Sequence, residues 1–252
     1  MIDFTDKVAI ISGAASGIGR AAVEKFVTLG AKVLAVDIDM EGLAETAALS
    51  GGDITTLYVD VSDEDNCQKA VDLAIETYGR VDVLCNNAGI GGVAVRLADM
   101  KTADWQKVID VNLTSLFYFS RAALPAMQSS GGGVIVNLAS VDGHVAMSTF
   151  SHYTAAKHGV VGLTKCIALE YARDNIRCVA VAPGFVRTNM TESGLSDSER
   201  ELLASLIPMG RTSSPEEVSN LITWLASSEA SYITGSCHTI DGGILSGFTL
   251  PE

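Results

Sequence analysis

The chain has 252 residues, 48% of them hydrophobic, and a net charge of −13 from 30 acidic and 17 basic side chains. That length and apolar content suit one large domain, residues 1–252, built on a single core. The acidic balance excludes a nucleic-acid or anionic-membrane surface, since both need clustered Lys and Arg. Cys67, Cys85, Cys166, Cys178 and Cys237 are odd in number and hold no Cys-x-x-Cys pair, which predicts free, mostly buried thiols. The opening Met1-Ile2-Asp3-Phe4-Thr5-Asp6 is acidic and unlike a targeting signal, and the longest apolar runs are strand-sized, so a reducing cytoplasm is the expected location.

Short β-branched runs alternate with helical stretches along the chain. Strands are expected near 7–12, 32–37, 55–60, 81–86, 132–139, 176–182 and 237–240. Helices are expected over 17–30, 40–50, 63–79, 102–128, 152–173 and 215–228. This order predicts an α/β fold: a doubly wound parallel sheet of about seven strands with helices on both faces. No strand candidate falls between Phe185 and Pro208, where Met190, Leu195, Leu202, Leu203 and Leu206 sit amid polar residues. A segment leaving a strand's carboxyl end is often a substrate lid, so 185–208 is expected to be one; a surface helical insert would read alike.

Ser12-Gly13-Ala14-Ala15-Ser16-Gly17-Ile18-Gly19 lies between the first strand and the first helix. Its spacing is Gly-x-x-x-Gly-x-Gly, looser than the usual dinucleotide fingerprint. Glycines there let the backbone approach a pyrophosphate, and the helix amino terminus offers free N–H groups, so Gly13, Ser16, Gly17, Ile18 and Gly19 are expected to bind a cofactor. Asp37 ends the second strand, where a carboxylate would bind both ribose hydroxyls of NAD and repel a 2′-phosphate; capping the next helix is its other possible task.

Tyr153 and Lys157 stand four apart in Tyr153-Thr154-Ala155-Ala156-Lys157, with Ser140 thirteen residues before the tyrosine. On a helix over 152–173 the two share a face, where an ammonium favours phenolate over phenol, although a solvated surface pair has the same spacing. A phenol so perturbed serves as a base near neutral pH. Ser140 closes the run Val134-Ile135-Val136-Asn137-Leu138, so its hydroxyl is expected at a strand end, positioned to bond a substrate oxygen. His152, His158 and His238 show no metal-like grouping, and no metal site is expected; His144, four beyond Ser140, is a candidate pocket residue.

With Asn86-Asn87-Ala88-Gly89, Val111-Asn112-Leu113, Pro183-Gly184 with Thr188, and Ile240-Asp241-Gly242-Gly243, these features resemble the short-chain dehydrogenase/reductase family in its common single-domain form. The resemblance covers nearly the whole chain and implies a Rossmann-type fold. It implies Asp60 and Val61 beside the adenine, Asn87, Ala88 and Gly89 along the cofactor ribose, and Pro183, Gly184, Val186 and Thr188 at the nicotinamide carboxamide. Tyr153 and Lys157 count with these as cofactor-binding, since Lys157 would also hold ribose hydroxyls. Asn112 resembles the family residue that holds a water behind the lysine, completing a catalytic set of Asn112, Ser140, Tyr153 and Lys157. Ser140, His144, Tyr153, Phe185 and Met190 are implied to touch substrate, and a homotetramer is implied as the assembly.

NADP-preferring relatives often carry a basic residue where this chain has Ile38 or Ser16, so the expected cofactor is NAD. The expected activity is interconversion of a secondary alcohol and a ketone with hydrophobic or cyclic substituents. The alternatives are a 3-oxoacyl thioester reductase of fatty-acid type, against which Asp37 and the net charge count, and a catalytically idle nucleotide-binding scaffold.

Overall fold

The computed structural model describes residues 2–193 and 195–247. Its strands are β1 (Val8–Ser12), β2 (Lys32–Asp37), β3 (Ile54–Tyr58), β4 (Val83–Asn86), β5 (Gly133–Leu138), β6 (Ile176–Pro183) and β7 (Cys237–Ile240). They form one sheet in the order β3-β2-β1-β4-β5-β6-β7, every neighbouring pair parallel. The helices are α1 (Gly17–Thr28), α2 (Met40–Ser50), α3 (Glu64–Tyr78), α4 (Thr102–Ile109), α5 (Ser115–Ser129), α6 (Ser151–Tyr171), α7 (Asn189–Glu192), α8 (Asp197–Ser205) and α9 (Pro215–Ala226). The fold is the expected Rossmann-type α/β architecture, and the element ends fall within about two residues of the sequence reading.

Successive strand residues serve two cores. On β1, Ala9 and Ile11 pack with Phe26 of α1 and with Ile222 and Leu225 of α9. Ile10, between them, packs with Val71 of α3 and with Phe119 and Met127 of α5. On β2, Val33 and Ala35 go to the first core and Leu34 and Val36 to the second. Both faces are covered, which is why the strands read as unbroken apolar runs instead of alternating ones. Each of the larger side chains, Val, Leu, Ile, Phe or Met, contributes roughly 1.5–3 kcal/mol on burial.

The site is positioned by the place of β1. It pairs with β2 on one side and β4 on the other, so the following connections diverge and open a crevice at the strands' carboxyl ends. At the opposite end, buried Asp82 accepts the Val8 N–H at 3.0 Å and takes Arg80 and Lys7 as ion-pair partners. That charge cluster joins β1 to β4 and is remote from the crevice.

The single helix expected over 102–128 is two helices. A π-helical turn, Asp110–Thr114, separates α4 from α5, and the Ser115 N–H reaches back to the Asp110 carbonyl. The wider turn turns Asn112 inward, where it is fully buried. Among its described residues the segment 185–208 contains no named strand and carries α7 and α8, the latter opened by a capping box of Ser196 and Glu199. Among the described residues no helix is long and apolar enough to cross a membrane. Cys67, Cys85 and Cys178 are buried, Cys237 is half-buried and Cys166 is exposed.

Candidate active site

The carboxyl ends of β1, β2, β4, β5 and β6 surround a cavity of about 940 Å³. Its lining includes Gly13, Ser16, Gly17, Ile18, Asp37, Asp60, Val61, Asn87, Ala88, Gly89, Ser140, Tyr153, Lys157, Pro183, Gly184, Val186, Thr188 and Met190. Residues far apart in sequence are thus brought together. Gly19 lies below the floor, buried, where a Cβ would collide with the Gly13 carbonyl.

Ser12 stitches the crevice shut at its base. Its hydroxyl accepts the N–H groups of Asn87 and Ala88, both at 3.1 Å, while Asn87 Nδ2 donates to the carbonyls of Ser12 and Gly13. Four bonds therefore fix the end of β4 against the glycine turn. At the end of β2, Asp37 accepts the Ala15 N–H at 3.0 Å through Oδ2 and the Asp39 N–H at 3.1 Å through Oδ1. Capping of α2 falls to Asp39, whose carboxylate accepts the Gly42 N–H, so Asp37 is free of that task.

At the end of β5, the Ser140 hydroxyl accepts the Asp142 N–H at 3.1 Å, in the short turn Val141–Gly143 that leads toward α6. Tyr153 and Lys157 occupy the first two turns of α6. Lys157 is buried, and its ammonium donates to the Leu138 carbonyl at 2.6 Å while standing 5.6 Å from the centroid of the Tyr153 ring. Burial pushes this lysine down to about 8, opposed by the Asp142 charge. Burial pushes the Tyr153 phenol up to about 12, partly offset by its hydrogen bond with Ser140 and reinforced by Asp142. Within the chain itself burial is the largest influence on this phenol, an effect that the spacing of Tyr153 and Lys157 does not report. Asp142 was missed by sequence reading. Burial raises its carboxyl, against the lowering effect of His158 and Lys157, and its only signal was an acid in the apolar stretch after Ser140.

Asn112 does not line the cavity. Its amide clamps one residue of the β4–α4 loop, Oδ1 accepting the Ile90 N–H at 2.8 Å and Nδ2 donating to the Ile90 carbonyl at 2.7 Å. A Cβ on Gly89 would lie 3.3 Å from Asn112 Oδ1 and 3.8 Å from Lys157 Nζ, so the three meet behind the cavity wall.

A family model described as enoyl-(acyl carrier protein) reductase matches residues 13–245. The 3-oxoacyl-[acyl-carrier-protein] reductase of Thermotoga maritima is 44% identical over 95% of this chain and 98% of its own length. The protein belongs to the short-chain dehydrogenase/reductase family. Another member, the cyclohexanol dehydrogenase of Acinetobacter sp. strain SE19, is 38% identical over 96% of each chain. Among solved structures, levodione reductase is 36% identical and superposes with a TM-score of 0.93 over 97% of this chain and all of its own.

Members of this family use a nicotinamide dinucleotide, NAD or NADP, and the crevice fits one. Gly13, at φ +66°, has Ala88 Cα 2.9 Å from where a Cβ would stand, and Gly17, at φ +53°, has Thr188 Cγ2 at 3.0 Å. Side chains at these two positions would fill the floor, so glycine keeps the backbone bare beside the amino terminus of α1. The dehydrogenase/reductase reading leaves two expected substrate contacts outside the cavity. His144 lines a separate depression with Arg96, Met147 and His158, and Phe185 is half-buried and absent from the cavity lining. The turn after Ser140 carries His144 away from the cleft, a direction that spacing alone did not reveal. Conversely, Ala103, Gln106, Lys107 and Asp110 of the α4 region do face the cavity. Their spacing puts them on one helical face, which was the available signal, but nothing in that pattern distinguished a cleft from solvent.

Proposed function

We propose that this protein is an NAD-dependent dehydrogenase that interconverts a secondary alcohol and a ketone on a hydrophobic or cyclic frame. The observation that carries the reading is the convergence of Ser140, Tyr153 and Lys157 on one cavity whose far side holds Asp37. Asp37 ends β2 and Ser140 follows β5, three strand steps apart, or about 14 Å, a span suited to an extended dinucleotide.

In the oxidative direction Tyr153 takes the substrate hydroxyl proton while the carbinol carbon gives up its hydride, and in reduction it returns that proton. Ser140 donates to the substrate oxygen and orients the reacting carbon. Lys157 binds ribose hydroxyls, and Asn112 holds the loop and a water behind it. When bound, the cofactor would supply the hydride acceptor or donor and, in its oxidised form, a positive charge.

NAD is favoured over NADP by the Asp37 carboxylate, which would repel a 2′-phosphate. Ile38 is the neighbour, and the basic residues lining the cavity are Lys107 and Lys157. Adenine packing falls to Asp60 and Val61, and the carboxamide to Pro183, Gly184, Val186 and Thr188. Ile90 and Met190 give the substrate end apolar walls, in keeping with the cyclic alcohols and ketones named for the relatives. The 185–208 segment acts as a lid, since Asn189, Met190 and Thr191 reach the cavity. Phe117 of α5 and Leu169 of α6, 43% and 84% exposed, support burial of those helices in a homotetramer. Light scattering at micromolar concentration tests that assembly, and a monomeric mass refutes it. Free cysteines suit a reducing cytoplasm.

A second reading, reduction of a 3-oxoacyl thioester, is favoured by the 44% identical relative. Steady-state turnover decides between them, using NAD and NADP with cyclohexanol, hydroxysteroids and a 3-oxoacyl thioester. NAD-linked oxidation of the cyclic alcohols is expected; preferred turnover of the thioester with NADPH would overturn the proposal. No turnover of any would return the idle scaffold.

A further inference from the structure

His152 immediately precedes Tyr153, is 0% exposed, and is used by nothing in the mechanism above. Its Nδ1 accepts the Tyr153 backbone N–H at 2.8 Å. Because α6 begins at Ser151, that N–H belongs to the first helical turn and has no acceptor within the helix. The residue before the helix, Phe150, carries no side-chain acceptor and leaves the end uncapped. The imidazole therefore does the capping from inside the helix.

The other ring nitrogen meets the loop after β4. A neutral imidazole that accepts at Nδ1 carries its proton on Nε2. Nε2 is buried and has no hydrogen-bond partner. It faces the loop after β4, where a Cβ on Gly92 would lie 2.5 Å from Nε2 and 2.7 Å from Val108 Cγ2. Gly92, at φ +77°, is thus the floor on which the ring rests. The same loop contains Ile90, held by Asn112 and exposed to the cavity.

We infer that His152 is a positioning residue: its imidazole, wedged between Gly92 and the first turn of α6, sets the direction of Tyr153 relative to Ser140 and ties that turn to the cavity wall. The inference rests on Tyr153 being the proton-transfer group, but its structural part does not. The backbone bond orders the tyrosine whatever the substrate, and misdirection of about 1 Å can cost ~10²-fold in rate.

The test uses His152→Leu, which keeps bulk without an acceptor, and His152→Asn, whose Oδ1 stands near the place of Nδ1. Each is read by kcat, by KM for NAD and by hydrogen exchange at the Tyr153 amide. The Leu variant should lose roughly 10- to 100-fold in kcat, keep its KM for NAD, and exchange the Tyr153 amide faster. The Asn variant should recover most of kcat and the amide protection. Equal impairment of both variants, or an unaltered Tyr153 amide in the Leu variant, would overturn the inference. If the Leu variant fails to fold, Gly92→Ala displaces the ring in an intact chain; a loss of kcat with no change at the Tyr153 amide would then overturn it. Tyr153→Phe run alongside separates the two levels: undiminished hydride transfer there rejects the function, while the amide readout still decides the role of His152.

Discussion

The ammonium of Lys157 donates to the carbonyl of Leu138 at 2.6 Å, fastening α6 to the last residue of β5. The lysine's charge is thereby held by a strand end, and its elevation above the Tyr153 ring follows from that bond. Burial brings the group down to about 8 from an ordinary 10.5. Between those two values the unfolded chain binds more proton than the native one, so native stability rises with pH across the window and the charge opposes folding below it. Lys157→Met removes the titration. Denaturant midpoints should show the wild type gaining on the Met variant as pH rises from about 8 toward 10.5; a flat difference would mean that burial does not lower the titration of the lysine in the native protein. Turnover and cofactor affinity should both fall in the variant.

Asp142 acts on both members of the pair, since its charge raises Tyr153 and Lys157 alike. Asp142→Asn keeps the shape of the side chain and removes that charge. Both groups should then titrate lower. Oxidation needs phenolate, so the alkaline rise of kcat/KM should move to lower pH in the variant. An unmoved profile would show that Asp142 carries no charge in the native site, and an upward shift would refute its effect on the phenol.

The architecture and most of the cavity were legible because they depend on local pattern. Apolar runs marked β1 to β7, and the glycines, Asp37, Ser140, Tyr153 and Lys157 each end a strand or open a helix. What stayed hidden depends on direction and desolvation. The π turn that buries Asn112 holds neither Gly nor Pro in Asp110–Thr114, so periodicity reads through it. His144 lies four beyond Ser140, yet the Val141–Gly143 turn carries it into another depression. The rise of Tyr153 to about 12 comes first from burial, which helical spacing with Lys157 does not report.

Cofactor choice should follow the end of β2. Asp37→Ser with Ile38→Arg removes the repulsion of a 2′-phosphate and adds a fork for it. The ratio of kcat/KM for NADP to that for NAD should rise at least tenfold, about 1.4 kcal/mol. Because Asp37 also accepts the Ala15 N–H, activity with NAD should fall in absolute terms as the glycine turn loses an anchor. A parent enzyme that already uses NADP as well as NAD would refute the role given to this carboxylate.

Tyr153 offers the sharpest test because its proposed role depends on one oxygen. Tyr153→Phe keeps the ring against α6 and deletes the proton acceptor. Alcohol oxidation should drop by ~10²-fold or more, the usual cost of losing a general base, while NADH affinity measured by fluorescence titration stays near that of the parent. The chain's own groups hold the phenol near 12, so ultraviolet titration of the cofactor-free protein should find a tyrosine ionising well above its ordinary value of 10. With oxidised cofactor bound, the added positive charge favours phenolate, and the rise of oxidation with pH should report an apparent value below that of the cofactor-free protein. The Phe variant should lack this rise in whatever activity remains. Single-turnover hydride transfer compares the two directly: similar rates would mean that the proton leaves by another route, and Ser140 or a water held near Lys157 would have to carry it.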